Sequence, residues 1–108
     1  MSFTVRFTVG ARNDLRAIHD YIAENDSKDS ADYVAREIVR AALALQDTAN
    51  RGAHPPELLA HGSRAYRQIF FKPYRILYRV RGKIGLIAVI ADGRRDMAPL
   101  LARRLGPN

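Results

Sequence analysis

The sequence predicts an α+β fold with the order βααβββ: a two-helix hairpin packed on an antiparallel sheet, with room for a short C-terminal helix. Three observations predict it. Apolar residues alternate with polar ones at the start of the chain and again in the second half, helical periodicity fills the stretch between, and the later strands are joined by very short turns.

The elements follow in order. Phe3, Val5 and Phe7 alternate with Thr4, Arg6 and Thr8, which gives a short strand with one apolar face. After Val9-Gly10, Ala11, Leu15, Ile18 and Ile22 recur at helical spacing, with Arg12, Asp14, Arg16 and Asp20 off that face. Asn25-Asp26-Ser27 breaks the pattern, and Asp26 or Ser27 can cap the next helix by accepting a backbone N–H. That longer helix carries Val34, Ile38, Ala41, Leu45 and Ala49 as its stripe and ends at Asn50-Arg51-Gly52. Residues 53–63, with Pro55-Pro56 and Gly62, read as a loop. Strands are expected at about 65–71, 74–81 and 84–91, with turns at Lys72-Pro73 and Gly82-Lys83 that force antiparallel hairpins. The last, from Ile84 to Ala91, is apolar on both faces and so belongs in the interior of the sheet. Met97, Leu100, Leu101 and Leu105 suggest a final helix with Pro99 in its first turn.

At 108 residues the chain is one domain, 1–108, large enough to bury a core without staples. It has no cysteine, which removes disulfides, thiolate chemistry and cysteine-based metal sites. The start lacks a basic segment followed by an apolar run, and no apolar stretch approaches the ~20 residues of a membrane span. A cytoplasmic protein is expected. Residues 61–108 hold eleven Lys/Arg against two acids, a net +9, while the first sixty residues carry −2. A basic sheet half presents a field to an anionic partner: a nucleic acid, a complex that holds one, or an acidic protein segment.

Three Tyr-Arg pairs, Tyr66-Arg67, Tyr74-Arg75 and Tyr78-Arg79, stand in this half. In the 74–81 strand, Tyr74, Ile76, Tyr78 and Val80 share one face, and Arg75, Leu77, Arg79 and Arg81 the other. The arginine row is either a solvated face or an anion platform, for which the planar guanidinium fork is well suited. His19, His54 and His61 are scattered and lack the spacing of a metal pair. There is no Gly-rich phosphate loop and no nucleophile motif, so neither a cofactor nor a metal is expected. The acids Asp14, Asp20, Glu24, Asp26, Asp29 and Asp32 cluster in the helical part, where pairing with Arg12, Arg16, Lys28 and Arg36 is expected.

The chain resembles the ParE/RelE superfamily of toxins from bacterial toxin–antitoxin pairs over nearly its whole length. The resemblance is carried by Val5-Arg6-Phe7-Thr8, Ala11 with Asp14-Leu15, Ile18 and Tyr21-Ile22, and the loop Leu58-Leu59-Ala60-His61-Gly62. It continues in Tyr66-Arg67, the run Tyr74 to Val80, Ile87 to Ile90, and Gly93-Arg94-Arg95-Asp96 with Leu100-Leu101. It implies a βααβββ fold with a curved antiparallel sheet. It also implies a cognate antitoxin whose C-terminal segment, expected to be acidic, folds on the toxin.

RelE-like members cut messenger RNA on the ribosome, and ParE-like members poison DNA gyrase. The metal-independent nuclease pattern has two alternating lysines, matched here by Arg67 and Ile69. Its two arginines are matched by Arg75 and Arg95, and its tyrosine by Leu101. Ile69 and Leu101 cannot move a proton, and arginine stays protonated. Together with Gly93-Arg94-Arg95-Asp96, this favours the ParE-like branch: a gyrase poison without chemistry of its own. Arg67, Arg75, Arg79, Arg94 and Arg95 are then the residues expected to bind antitoxin or target. A ribosome-dependent endoribonuclease and a non-toxic interaction module on the same fold are the alternatives.

Overall fold

The computed structural model describes residues 2–106. Strand β1 (Thr4–Phe7) leads into helices α1 (Val9–Asn25) and α2 (Lys28–Leu43), followed by the short α3 (Leu45–Thr48) and α4 (Pro56–Leu59). Strands β2 (Arg67–Phe71), β3 (Tyr74–Arg81) and β4 (Ile84–Asp92) form a meander, and α5 (Met97–Leu105) closes the fold. The α+β class and the βααβββ order are as the sequence predicts, with the final helix present.

Caps set the helix boundaries. The Thr8 hydroxyl accepts from Ala11 N–H at 3.0 Å at the start of α1. Of the two candidate caps for the second helix, Ser27 acts: its Oγ accepts from Ser30 N–H at 3.0 Å. The long helix expected to run to Ala49 is interrupted by a turn at Ala44, and α3 continues it. The stretch expected as loop contains α4, whose first residue, Pro56, needs no N–H there.

The sheet order is β1-β4-β3-β2, so β4 is interior. β2, β3 and β4 pair antiparallel, whereas β1 joins β4 in parallel, because the two-helix excursion returns the chain across the sheet. β4 is apolar on both faces because both are covered. A register shift opposite Leu77 and Tyr78 lets Ile87 and Ile90 face the helical hairpin while Val89 and Ala91 face the other side. Its first residue, Ile84, is 38% exposed at the hairpin turn, so the doubly buried part begins beyond it.

The larger core joins Ala11, Ile38, Ala42 and Leu45 of the helical layer to Ile69, Ile76, Tyr78, Ile87 and Ile90 of the sheet, with Leu15, Ile18 and Val34 packed against it. Tyr78 is fully buried, donates to Ala49 C=O at 2.6 Å and accepts from Gly52 N–H at 3.1 Å. A Cβ at Gly52 would lie 2.5 Å from that hydroxyl, so glycine is required there. On the opposite face, Leu77, Val89 and Ala91 meet Met97, Leu100 and Leu101 of α5 in a second, smaller core.

Candidate partner-binding surface

The register places the five arginines in different settings. On β2, Arg67 pairs with Tyr78 and Ile69 with Ile76, so both point to the helical face. Arg67 donates from Nη1 to Gly52 C=O at 2.8 Å, and Ile69 lies in the larger core. The side of β2 that faces with Arg75 instead carries Gln68 and Phe70.

Arg75 is 8% exposed. Its Nη1 and Nη2 donate to the two carboxylate oxygens of Glu57 at 2.7 and 2.8 Å, and its Nε donates to Gln68 Oε1 at 2.7 Å. The fork the sequence assigned to a partner is thus engaged within the fold. The Arg75 guanidinium holds the Glu57 carboxyl below its ordinary pKa, outweighing the burial that acts the other way.

Arg79 shares the outer face with Arg75 and Leu77. Its guanidinium lies over the Tyr66 ring, 5.3 Å from the centroid. Its Nε is buried and lacks a hydrogen-bond partner among the described residues. Arg94 is exposed and forks onto Asp92 at 3.0 and 2.6 Å, which holds that carboxyl below its ordinary value. Arg95 is exposed one residue further on, where its backbone N–H donates to Asp92 C=O.

Beside Arg79 lies a groove of about 370 Å³ between α4 with its following loop and α5. Leu58, His61, Ser63 and Tyr66 form one wall, and Ala98, Leu101, Ala102 and Leu105 the other. α5 is held in place by an ion pair across ninety residues of sequence. Arg104 donates from Nη1 and Nη2 to Asp14 at 2.7 and 3.0 Å, and from Nη2 to Ala88 C=O at 3.2 Å. Asp14 Oδ2 also accepts from Ile90 N–H at 2.9 Å, at the level of β4 where β1 has ended. The guanidinium passes so close to α1 that a Cβ at Gly10 would lie 2.6 Å from it.

A family model described as the ParE toxin of the type II toxin–antitoxin system, parDE, matches residues 5–98. The chain belongs to the ParE toxin family. A chain of the chromosomal ParDE system from P. aeruginosa superposes with a TM-score of 0.71 at 27% identity, covering 84% of this chain and 96% of that one. A chain of the RelBE2 toxin–antitoxin complex from Mycobacterium tuberculosis superposes with a TM-score of 0.62 at 20% identity, covering 85% and 99%, which is a likeness of fold. No curated protein sequence matches it.

In this ParE family member the outer face engages the charge of Arg75 within the fold, and His61 and Tyr66 stand in the groove. Beside Arg75 stand Gln68 and Phe70, and Leu101 is buried in the second core. His54 Nδ1 lies 3.0 Å from Tyr66 C=O, and His19 Nε2 lies 2.7 Å from Asp32 Oδ1. Among the described residues no cluster of His, Asp or Glu is arranged to hold a metal ion. Of the acids expected to pair locally, Asp32 meets Lys28, while Asp14 turns to Arg104 instead of Arg12 or Arg16.

Sequence reasoning missed the groove and the Glu57 and Asp14 bridges. The groove had a signal in the leucine pairs Leu58-Leu59 and Leu100-Leu101, of which Leu58 and Leu101 line it from opposite sides. The bridges join residues 18 and 90 positions apart, beyond any local spacing rule.

Proposed function

We propose that this chain is a ParE-like toxin that acts in the cytoplasm by binding and poisoning DNA gyrase, and that a cognate antitoxin neutralises it by folding a segment onto it. The supporting observation is the outer sheet face. Arg75 is consumed by Glu57 and Gln68, and the neighbouring positions on β2 and α5 are Gln68, Phe70 and Leu101. Such a face can bind a partner, and the positions around Arg75 on β2 and α5 supply no general acid or base of the kind that typically contributes roughly 10²–10⁴-fold in rate. A protein partner fits the ParDE and RelBE2 likenesses, both of which are toxin–antitoxin assemblies.

The test is a pair of assays on the purified chain. Added to gyrase, relaxed DNA and ATP, it is expected to inhibit supercoiling or trap cleaved DNA, and to leave messenger RNA intact in a translation reaction. Codon-positioned, ribosome-dependent cuts would install the endoribonuclease instead, with His61 and Tyr66 in the groove as the first groups to substitute. Inactivity in both assays, with partner binding intact, would favour an interaction module.

A further inference from the structure

From the groove at the tip of the helical hairpin we infer that it docks an arginine-bearing segment of a basic partner protein, with the guanidinium on Asp26 and Asp29 and an apolar neighbour on Ile22 and Val34. This surface belongs to the helical layer, across the sheet from α5, and the inference does not rest on the toxin reading.

The groove joins a polar end to an apolar one. It encloses about 470 Å³ and is lined by Ile22 of α1, Asp26 of the turn, and Asp29, Ser30, Tyr33 and Val34 of α2. On α2, Asp29 and Tyr33 stand at i and i+4, as do Ser30 and Val34, so two rows lead from polar to apolar side chains. Asp26 adds a second carboxylate at the polar end. Val34 packs against the larger core and gives the groove a firm floor. Tyr33 is 50% exposed, although the Phe71 ring meets it edge-on with the centroids 6.2 Å apart. A tyrosine held in place yet half exposed, beside an apolar floor, is a surface that a partner covers with gain.

Charge selects the occupant. Residues 20–32 hold five acids and one lysine, a net −4 in a chain of net +7. Asp32 is engaged by His19 and Lys28, both at 2.7 Å. Asp26 and Asp29 are exposed, and among the described residues their carboxylates make no hydrogen bond or ion pair. The helix ends do not neutralise them. The C-terminal end of α1 and the N-terminal end of α2 meet at this turn, so their partial charges of about −0.5 and +0.5 oppose one another. A pair of free carboxylates beside apolar surface attracts a cation on an apolar stem and repels phosphate. Arginine fits because its planar fork spans carboxylate oxygens while its stem covers Val34 and its plane can lie on a tyrosine ring. The Tyr33 ring already draws one guanidinium, that of Arg36, to 6.0 Å from its centroid.

The probe is a short fluorescein-labelled peptide in which arginine alternates with leucine, titrated with the full chain and read by anisotropy. A matched peptide carries citrulline, which keeps the stem and loses the charge. The net +7 of the chain opposes approach of the arginine peptide elsewhere, so saturable binding reports this surface. Saturable binding of the arginine peptide is expected, and it should weaken as salt is added. It should be about fivefold or more tighter than binding of the citrulline peptide, and should fall by a similar factor in the double variant Asp26→Asn, Asp29→Asn. Both positions are exposed, so the circular dichroism of the variant should match that of the wild type. Amide shifts on binding should centre on Ile22, Ser30 and Tyr33. Equal affinity for the two peptides, unchanged affinity in the double variant, shifts centred on α4 and α5, or absence of saturable binding would each overturn the inference. Self-association of the free chain that disappears in the double variant would give this surface to a second copy and overturn it too.

Discussion

The two faces of the sheet are built to different standards. The helical face is sealed: Ile38, Leu45, Ile76 and Ile87 are fully buried, and the tyrosine hydroxyl within it has both a donor and an acceptor. The outer face is covered only in part, by the short α4 and α5. It carries a buried salt bridge, an arginine stacked on tyrosine with an unmatched donor, and an open apolar groove. The sealed face supplies stability, and the outer face retains the surface with which a partner can interact.

The contrast can be broken by substitution. The largest effect is expected on the sealed face: Ile38→Ala or Leu45→Ala should lower stability by about 2–5 kcal/mol, because each leaves a cavity that the helices and sheet cannot close. Urea denaturation checks this, and an unchanged midpoint for either variant would make the two faces energetically alike.

A smaller effect is expected at the salt bridge of the outer face. Glu57→Gln leaves the Arg75 guanidinium, with a side chain only 10% exposed, without its anion and should lower stability by about 1–3 kcal/mol. The pH dependence carries the same signature. The carboxyl is depressed in the folded state, so its contribution is present above the ordinary carboxylate value and is lost as pH falls through the depressed one. The stability gap between wild type and Glu57→Gln should therefore be constant near neutrality and narrow below about pH 4. A gap that stays constant on acidification would mean that the ion pair does not stabilise the fold.

The smallest effect is expected where the faces are tied together. Arg104→Met removes the bridge to Asp14 but keeps the apolar stem, and should lower global stability by about 1 kcal/mol. Its clearer sign is local. Amide hydrogen exchange should quicken in α5 while α2 and β4 keep their protection. Equal acceleration everywhere would show that α5 unfolds only with the whole domain.

The same division explains what could be read from the sequence. The sealed face follows simple periods: the i, i+4 pairs Val34–Ile38 and Ala41–Leu45, the Ser27 cap and the alternation of Tyr74 to Arg81 lead to the elements observed. The outer face follows contacts between distant segments. Counting alternation correctly put Arg75 and Arg79 on one face, but nothing local shows that Glu57 folds back onto Arg75. Matching residues to a nuclease pattern placed Arg67 and Ile69 beside Arg75, whereas the pairing register turns them to the helical side and leaves Gln68 and Phe70 there. A resemblance aligned to within one residue preserves the order of strands but inverts which face a side chain occupies, because the pleat has a period of two. α4 went unread because a single helical turn that starts at a proline pair has the composition of a loop.

The bridge between Asp14 and Arg104 has a consequence in time. Synthesis proceeds from the N-terminus, and α1 with its carboxylate is made long before the arginine that completes it. Until the last turn of α5 has been made, Asp14 lacks its Arg104 partner and keeps the bond from Ile90 N–H, and the α5 wall of the groove is incomplete. The α5 wall of the groove is thus made after every strand of the sheet, so the strands that carry the helical core precede the completion of the surface assigned to a partner.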